Sequence, residues 1–100
     1  MIVTVFRSRP TADPQIQEEY KLLSLQLNEI AQTMPGYISL KRFTADDGEH
    51  CIIVEFESET AHRAWVNHPA HQQAMQVGRE KFLAEYNIKV CELQYVLAKP

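Results

Sequence analysis

Residues 58–86 read S-E-T-A-H-R-A-W-V-N-H-P-A-H-Q-Q-A-M-Q-V-G-R-E-K-F-L-A-E-Y, and this pattern predicts a helix that breaks once and restarts. Ser58 is suited to cap the first segment, because its hydroxyl can accept a hydrogen bond from a free N–H of the first turn. Pro69 cannot continue a helix but fits the first turn of a new one. We therefore predict helices over residues 59–66 and 69–84.

The same stretch holds the only tryptophan of the chain, Trp65, and three of its four histidines, His62, His68 and His71. A bulky indole with imidazoles near the helix corner supplies the apolar wall and the proton-transfer groups of a small-ligand pocket. An ordinary helix corner can contain the same residues, with the tryptophan in the core and the histidines bonded to backbone carbonyls. Both interpretations stay open at this point. We expect His62 and His50 on the surface.

Working outward from this stretch, the chain predicts four strands. Residues 37–44 and 51–56 form a hairpin, because A-D-D-G-E at 45–49 carries Asp-Gly at its centre. Residues 2–8 (I-V-T-V-F-R-S) are rich in β-branched side chains and predict the first strand. The last strand is predicted over residues 88–96.

A long helix is predicted from Pro14 to about Thr33, with Asp13 as its N-cap. The motif Pro35-Gly36 ends it. Its apolar positions recur every three or four residues, at Ile16, Tyr20, Leu23, Leu27 and Ile30.

The order β-α-β-β-α-β predicts an α+β, ferredoxin-like domain with one antiparallel sheet, in the strand order 4-1-3-2, covered on one face by the helices. Both faces of the last strand carry apolar side chains, namely Ile88, Val90 and Val96 on one face and Cys91, Leu93 and Tyr95 on the other. An apolar sheet face is not left in water. We therefore expect a homodimer in which two sheets face each other.

The composition is that of one globular domain spanning residues 1–100, with 45% hydrophobic residues and a net charge of −3. The absence of a basic face argues against nucleic-acid or membrane-surface binding, and no apolar run is long enough to span a membrane. The N-terminus lacks the basic segment of a signal peptide, so a cytoplasmic location is expected. Cys51 and Cys91 fall on non-adjacent strands of the predicted sheet, which favours reduced, buried thiols over a disulfide.

The segments P-G-Y-I-S-L-K-R-F-T-A-D-D-G-E, I-I-V-E-F-E-S-E-T-A-H-R-A-W, H-P-A-H, G-R-E-K-F and Y-N-I-K-V-C-E resemble the antibiotic biosynthesis monooxygenase family. The resemblance covers nearly the whole chain, from Met1 to about Tyr95. It implies a dimeric α/β barrel in which each subunit has a pocket between its helices and its sheet. The family includes cofactor-free oxygenases of phenols or quinols, haem degraders and signal-processing isomerases.

Several positions match the family's motifs and others depart from them. Trp65 matches the helix tryptophan that lines the pocket in oxygenase and haem-degrading members. His71 falls where the aromatic oxygenases place a polar side chain, while the asparagine of some oxygenases one turn before the tryptophan is here Ala61. The first-strand asparagine of the haem degraders is missing, and their histidine about ten residues after the tryptophan is here Met75. These departures argue against haem degradation of that type.

The resemblance implies a cofactor-independent monooxygenase that acts on a small aromatic or quinol-like substrate with molecular oxygen. We expect His71 to act as the base and His68 as the second choice, because imidazoles titrate near neutral pH. The walls of the pocket and the donors to the substrate are expected from Trp65, Phe82, Phe56, Tyr37, Tyr86, Arg79 and Asn67. No cofactor is expected, and no metal, because the histidines lack a third ligand at a recognised spacing. A non-catalytic binding module for a small hydrophobic or quinone ligand and a haem-binding or haem-degrading protein remain as alternatives.

Overall fold

The computed structural model describes residues 1–99 and consists of an antiparallel four-stranded sheet packed against helices. The elements in chain order are β1 (Ile2–Pro10), α1 (Pro14–Thr33), β2 (Tyr37–Thr44), β3 (His50–Phe56), α2 (Glu59–Val66), α3 (Pro69–Val77), a π-helical turn (Gly78–Phe82) and β4 (Leu83–Glu92). The strand order β2-β3-β1-β4 is the predicted order read from the other edge. The ferredoxin-like α+β fold is thus confirmed.

The break between the second and third helices arises from their caps. Ser58 Oγ accepts a hydrogen bond from the Ala61 N–H at 3.1 Å and begins α2. Pro69 begins α3, and His68 caps it by accepting the Ala70 N–H on Nδ1 at 3.0 Å. The two helices therefore meet at a corner that local sequence alone encodes.

The region after α3 differs from the prediction. The helix ends at Val77 and not at residue 84, and β4 covers Leu83–Glu92 where the sequence predicted a strand over 88–96. The reason is pairing with β1, which is long enough to pair Pro10 with Leu83 and Ile2 with Glu92. This tertiary pairing overrides the helical preference of residues 83–86 and leaves residues 93–96 beyond the start of β1.

The hydrophobic core lies where α1 and α2 meet β3. Its buried members are Ala31, Val54, Phe56 and Trp65. Phe56 is fully enclosed, and Tyr37 packs edge-on against it with ring centroids 6.0 Å apart. The core thus joins the hairpin to the helix that carries the tryptophan.

The sheet face opposite the core is mixed in character. Because side chains alternate along a strand, Val3, Val5 and Ile53 lie on the face away from Thr4, Val54 and the other core-side residues. Lys89 stands beside Val5, and Glu55 beside Val3, in the same register. The face therefore has an apolar centre and charged surroundings.

Cys51 and Cys91 are free and lie on β3 and β4, which β1 separates, as the sequence predicted. The expectation that both thiols are buried is wrong, because Cys51 is only half-buried and Cys91 is exposed. Among residues 1–99, none of the helices has both the length and the apolar character that crossing a bilayer requires.

Gly36, just before β2, lies very close to α2. Its φ is +81°, and a Cβ at this position would lie 2.6 Å from the Cβ of Ala61 on α2. Gly48, in the β2–β3 hairpin, has φ +90°, but a Cβ at this position would meet no neighbouring atom within 4 Å. Glycine is therefore required at position 36 for two reasons, the positive φ and the lack of space for a side chain. At position 48 only the positive φ favours glycine.

We expect Gly36→Ala to lower the free energy of unfolding more than Gly48→Ala. Strain at positive φ costs about 1 kcal/mol at either site, and the clash with Ala61 adds about 1–3 kcal/mol at position 36. Urea unfolding of the two variants measures the difference. Equal losses would mean that α2 does not pack on Gly36 as described.

Candidate functional site

A cavity of about 380 Å³ lies between the sheet and the helices. All four strands and all three helices contribute to its wall. Most of its lining is apolar, and the main contributors are Phe6, Leu23, Leu27, Leu40, Ile52, Val54, Ile88 and Val90. A cavity of this size and character suits a small, mostly apolar molecule.

Trp65 belongs both to the core and to the cavity wall. Its side chain is 5% exposed, and it contacts the core cluster around Phe56 while lining the cavity. His71 packs edge-to-face on it, with ring centroids 4.9 Å apart and planes at 74°. The indole and this imidazole therefore form one rigid corner of the wall.

His71 presents a neutral imidazole to the cavity. Burial lowers its pKa below the ordinary value, and the nearby His62 and His68 lower it further. Its Nδ1 is enclosed and has no hydrogen-bond partner among residues 1–99. Nε2 is then the ring nitrogen through which His71 can exchange a proton with a ligand.

The carbonyl of Val66 acts on His71 in the opposite direction and raises its pKa. It forms no hydrogen bond of good geometry with Nδ1, and the Gln72 side-chain Nε2 donates to it at 2.8 Å. Burial is therefore the dominant influence on the pKa of His71, which is the uncharged base at neutral pH.

His62 also lines the cavity, although we expected it on the surface. Its Nε2 lies 3.1 Å from Thr4 Oγ1 on β1, and its ring packs edge-on to Phe56 at 6.1 Å. Burial lowers its pKa, against an opposing effect of Glu59. One signal could have found it: His62 precedes Trp65 by three residues on one helix, so the two share a face.

Hydrogen-bond donors reach the cavity from several elements. Tyr86 on β4 and Arg79 on the π-helical turn were expected there, and both line it. Further polar residues that were not predicted at the site also line the cavity, namely Thr4, Tyr20, Ser24, Arg42 and Gln72. Tyr20 lies on the apolar face of α1 that the sequence pattern identified, whereas the other four line the cavity because of the tertiary fold, which no local pattern records.

Five of the nine residues expected at the site lie outside the cavity lining, while Trp65, His71, Arg79 and Tyr86 belong to it. The five are Phe56 and Tyr37 in the core, Phe82 packed against Tyr20 with ring centroids 5.7 Å apart, His68 as the N-cap of α3 and Asn67 as the C-cap of α2. Each of the five is held by packing or capping.

Metal-ligating residues do not cluster in the part of the chain that the structure describes, since no group of three or more His, Cys, Asp or Glu side chains is placed to hold an ion. Met75, which stands where the haem degraders have a histidine, lines the cavity.

Comparisons with known proteins support one family. A family model described as antibiotic biosynthesis monooxygenase matches residues 1–77. A Deinococcus radiodurans protein named for that family superimposes with a TM-score of 0.83 at 12% identity, covering 100% of this chain and 99% of its own. A mutant form of a cofactor-independent oxygenase from Streptomyces nogalater gives 0.80 at 13% identity, covering 98% and 97%. At these identities the structural likenesses establish the fold. No curated protein matches the sequence.

We expect the imidazoles of His62 and His71 to titrate below the value of about 6.5 found for a free histidine side chain, because burial penalises the charged form. Histidine ring resonances followed by NMR between acid and neutral pH measure both. The unfolded chain would take up these protons at higher pH than the folded one. The stability that the neutral rings contribute is therefore fully present above about pH 6.5 and declines as the pH falls below that value. A midpoint at or above that value for His71 would contradict the site as described.

Proposed function

The chain belongs to the antibiotic biosynthesis monooxygenase family, and from this premise we propose that it is a cofactor-independent monooxygenase that oxidises a small aromatic or quinol-like substrate with molecular oxygen. The observation that carries the proposal is the corner formed by Trp65 and the neutral His71 on the wall of an apolar cavity. An aromatic ring fits against the indole, and the imidazole is in the form that accepts a proton.

Oxidation of such a substrate by molecular oxygen requires few catalytic groups from the protein. Triplet oxygen reacts poorly with closed-shell molecules but accepts one electron from an electron-rich phenolate or quinolate. A base that forms this anion and an apolar enclosure that keeps water out are the main requirements. The substrate supplies all the electrons: a hydroquinone and O2 give a hydroxyquinone and water, with one oxygen atom in each product.

His71 takes the phenolic proton in this proposal. Its lowered pKa keeps it unprotonated at pH 7, so no prior deprotonation is needed. After electron transfer the substrate radical and superoxide combine at a ring carbon. The resulting peroxide loses water to leave a carbonyl, and the proton held by the imidazole leaves in that water.

His62 and the polar lining residues act around this step. His62, fixed by Thr4, offers a second neutral imidazole in the cavity. Tyr86 and Arg79 are available to donate to the substrate oxygen on which negative charge develops. Trp65 and the aliphatic lining hold the ring and exclude water.

We further propose that the protein works as a homodimer through the sheet face that carries Val3, Val5 and Ile53. Apolar side chains are also exposed beyond the end of β4, at Tyr95, Val96 and Leu97. Exposed apolar area of this kind is characteristic of an interface.

The test of the reaction is oxygen uptake with a panel of hydroquinones and polyphenols, measured against a blank without protein. We expect His71→Asn to reduce the protein-dependent rate by a factor of about 10²–10⁴, the range for loss of a general base. His68→Asn is the matched comparison, because asparagine preserves the helix cap and the position lies outside the cavity lining. This variant should keep its activity.

Loss of activity in His68→Asn but not in His71→Asn would transfer the role of base to His68. Absence of protein-dependent uptake across the panel, with tight binding of the same molecules, would replace the enzyme by the non-catalytic binding module. A Soret shift on addition of hemin would instead support the haem-binding alternative.

The test of the dimer is sedimentation velocity of Val5→Asp, since a carboxylate in the apolar centre of the sheet face would be desolvated on association. We expect the wild type to sediment as a dimer and the variant, folded by circular dichroism, as a monomer. Leu22→Asp is the control, because Leu22 is an exposed leucine on α1. A monomeric wild type would contradict the proposal.

A further inference from the structure

The charged side chains that line the cavity are all basic. Among residues 1–99, Arg42 on β2 and Arg79 on the π-helical turn are its only arginine or lysine lining residues, and no aspartate or glutamate lines it. The chain as a whole carries 13 acidic and 10 basic residues, so acidic side chains are in excess elsewhere. The cavity is therefore electropositive in an acidic protein.

Unlike the other three arginines of the chain, Arg42 and Arg79 have no carboxylate partner within the described residues. Arg7 bonds to Glu49 at 2.7 Å, Arg9 to Asp47 at 2.6 Å, and Arg63 pairs with Glu59. Within residues 1–99 neither Arg42 nor Arg79 forms an ion pair or a side-chain hydrogen bond. Their guanidinium groups are thus available to bind a ligand.

Arg42 also borders a second depression, of about 330 Å³, which carries Glu18 as well as Lys21. Arg79 lines the first cavity and does not line the second. The two arginines reach the first cavity from the sheet side and from the helical side. A ligand between sheet and helices can therefore meet a cation from either wall.

We propose that the cavity selects an aromatic carboxylate, with its ring against Trp65 and its carboxylate toward Arg42 and Arg79. A guanidinium donates two parallel N–H bonds to a carboxylate, which gives direction as well as attraction. The inference rests on the proposed function, because it names the substrate class of that same site. It adds that the substrate bears an acidic group besides the oxidisable ring.

The experiment compares two probes of equal shape, 2-naphthoate and 2-naphthamide, by isothermal titration calorimetry. We expect the wild type to bind the carboxylate about tenfold more tightly, the lower end for a charge-assisted hydrogen bond, because both arginines are solvent-exposed. Arg42→Gln and Arg79→Gln should each reduce this advantage, and the double variant should abolish it. Added salt should weaken the binding of 2-naphthoate but not the binding of 2-naphthamide.

Arg63→Gln is the matched control. It removes a positive charge of the same kind from α2, outside the cavity lining, and should leave the preference for the carboxylate unchanged. Equal binding of the two probes, a preference that persists in the double variant, or no binding of either probe would each overturn the proposal.

Oxygen uptake separates this proposal from the function on which it rests. Turnover of 1,4-dihydroxynaphthalene as fast as that of 1,4-dihydroxy-2-naphthoate would overturn the anion preference while the oxygenase function stands. If 2-naphthoate binds preferentially but neither quinol gives protein-dependent oxygen uptake, the anion site is supported and the oxygenase function is contradicted.

Discussion

The packing of Trp65 is the contact on which the rest of the structure depends. One side of the indole closes the core around Phe56, and the other forms the wall of the cavity and holds His71 at 4.9 Å. A residue of this size cannot move toward the cavity without opening a void in the core. The stability of the fold and the shape of the site are therefore set by the same side chain.

The electrostatic character of the site follows from that packing. An imidazole that packs edge-on against an indole and is partly withdrawn from water loses hydration, so the neutral form of His71 is favoured. His62 reaches the same environment through its bond to Thr4. Two neutral imidazoles and the guanidinium groups of Arg42 and Arg79 then border one apolar space, as the proposed reaction and the proposed preference for a carboxylate require.

Local sequence determined the features that local chemistry controls. The caps at Asp13 and Ser58, the break at Pro69 and the hairpin around Gly48 were all predictable, because each depends on a few adjacent residues. The start of β4 was not, since it depends on pairing with β1 across the whole chain. The site divides in the same way: Trp65 and His71 carried a recognisable pattern, whereas Arg42 lines the cavity only because β2 is placed beside β3.

The most direct test of the central claim is the NMR cross-peak of the Trp65 indole N–H, which is unambiguous because the chain has a single tryptophan. The protein would be titrated without oxygen with 1,4-dihydroxynaphthalene. If an aromatic ligand binds against Trp65, this peak shifts saturably together with the ring resonances of His71. A peak that stays in place while the ligand binds, with shifts confined to the sheet face of Val3 and Val5, would contradict the account.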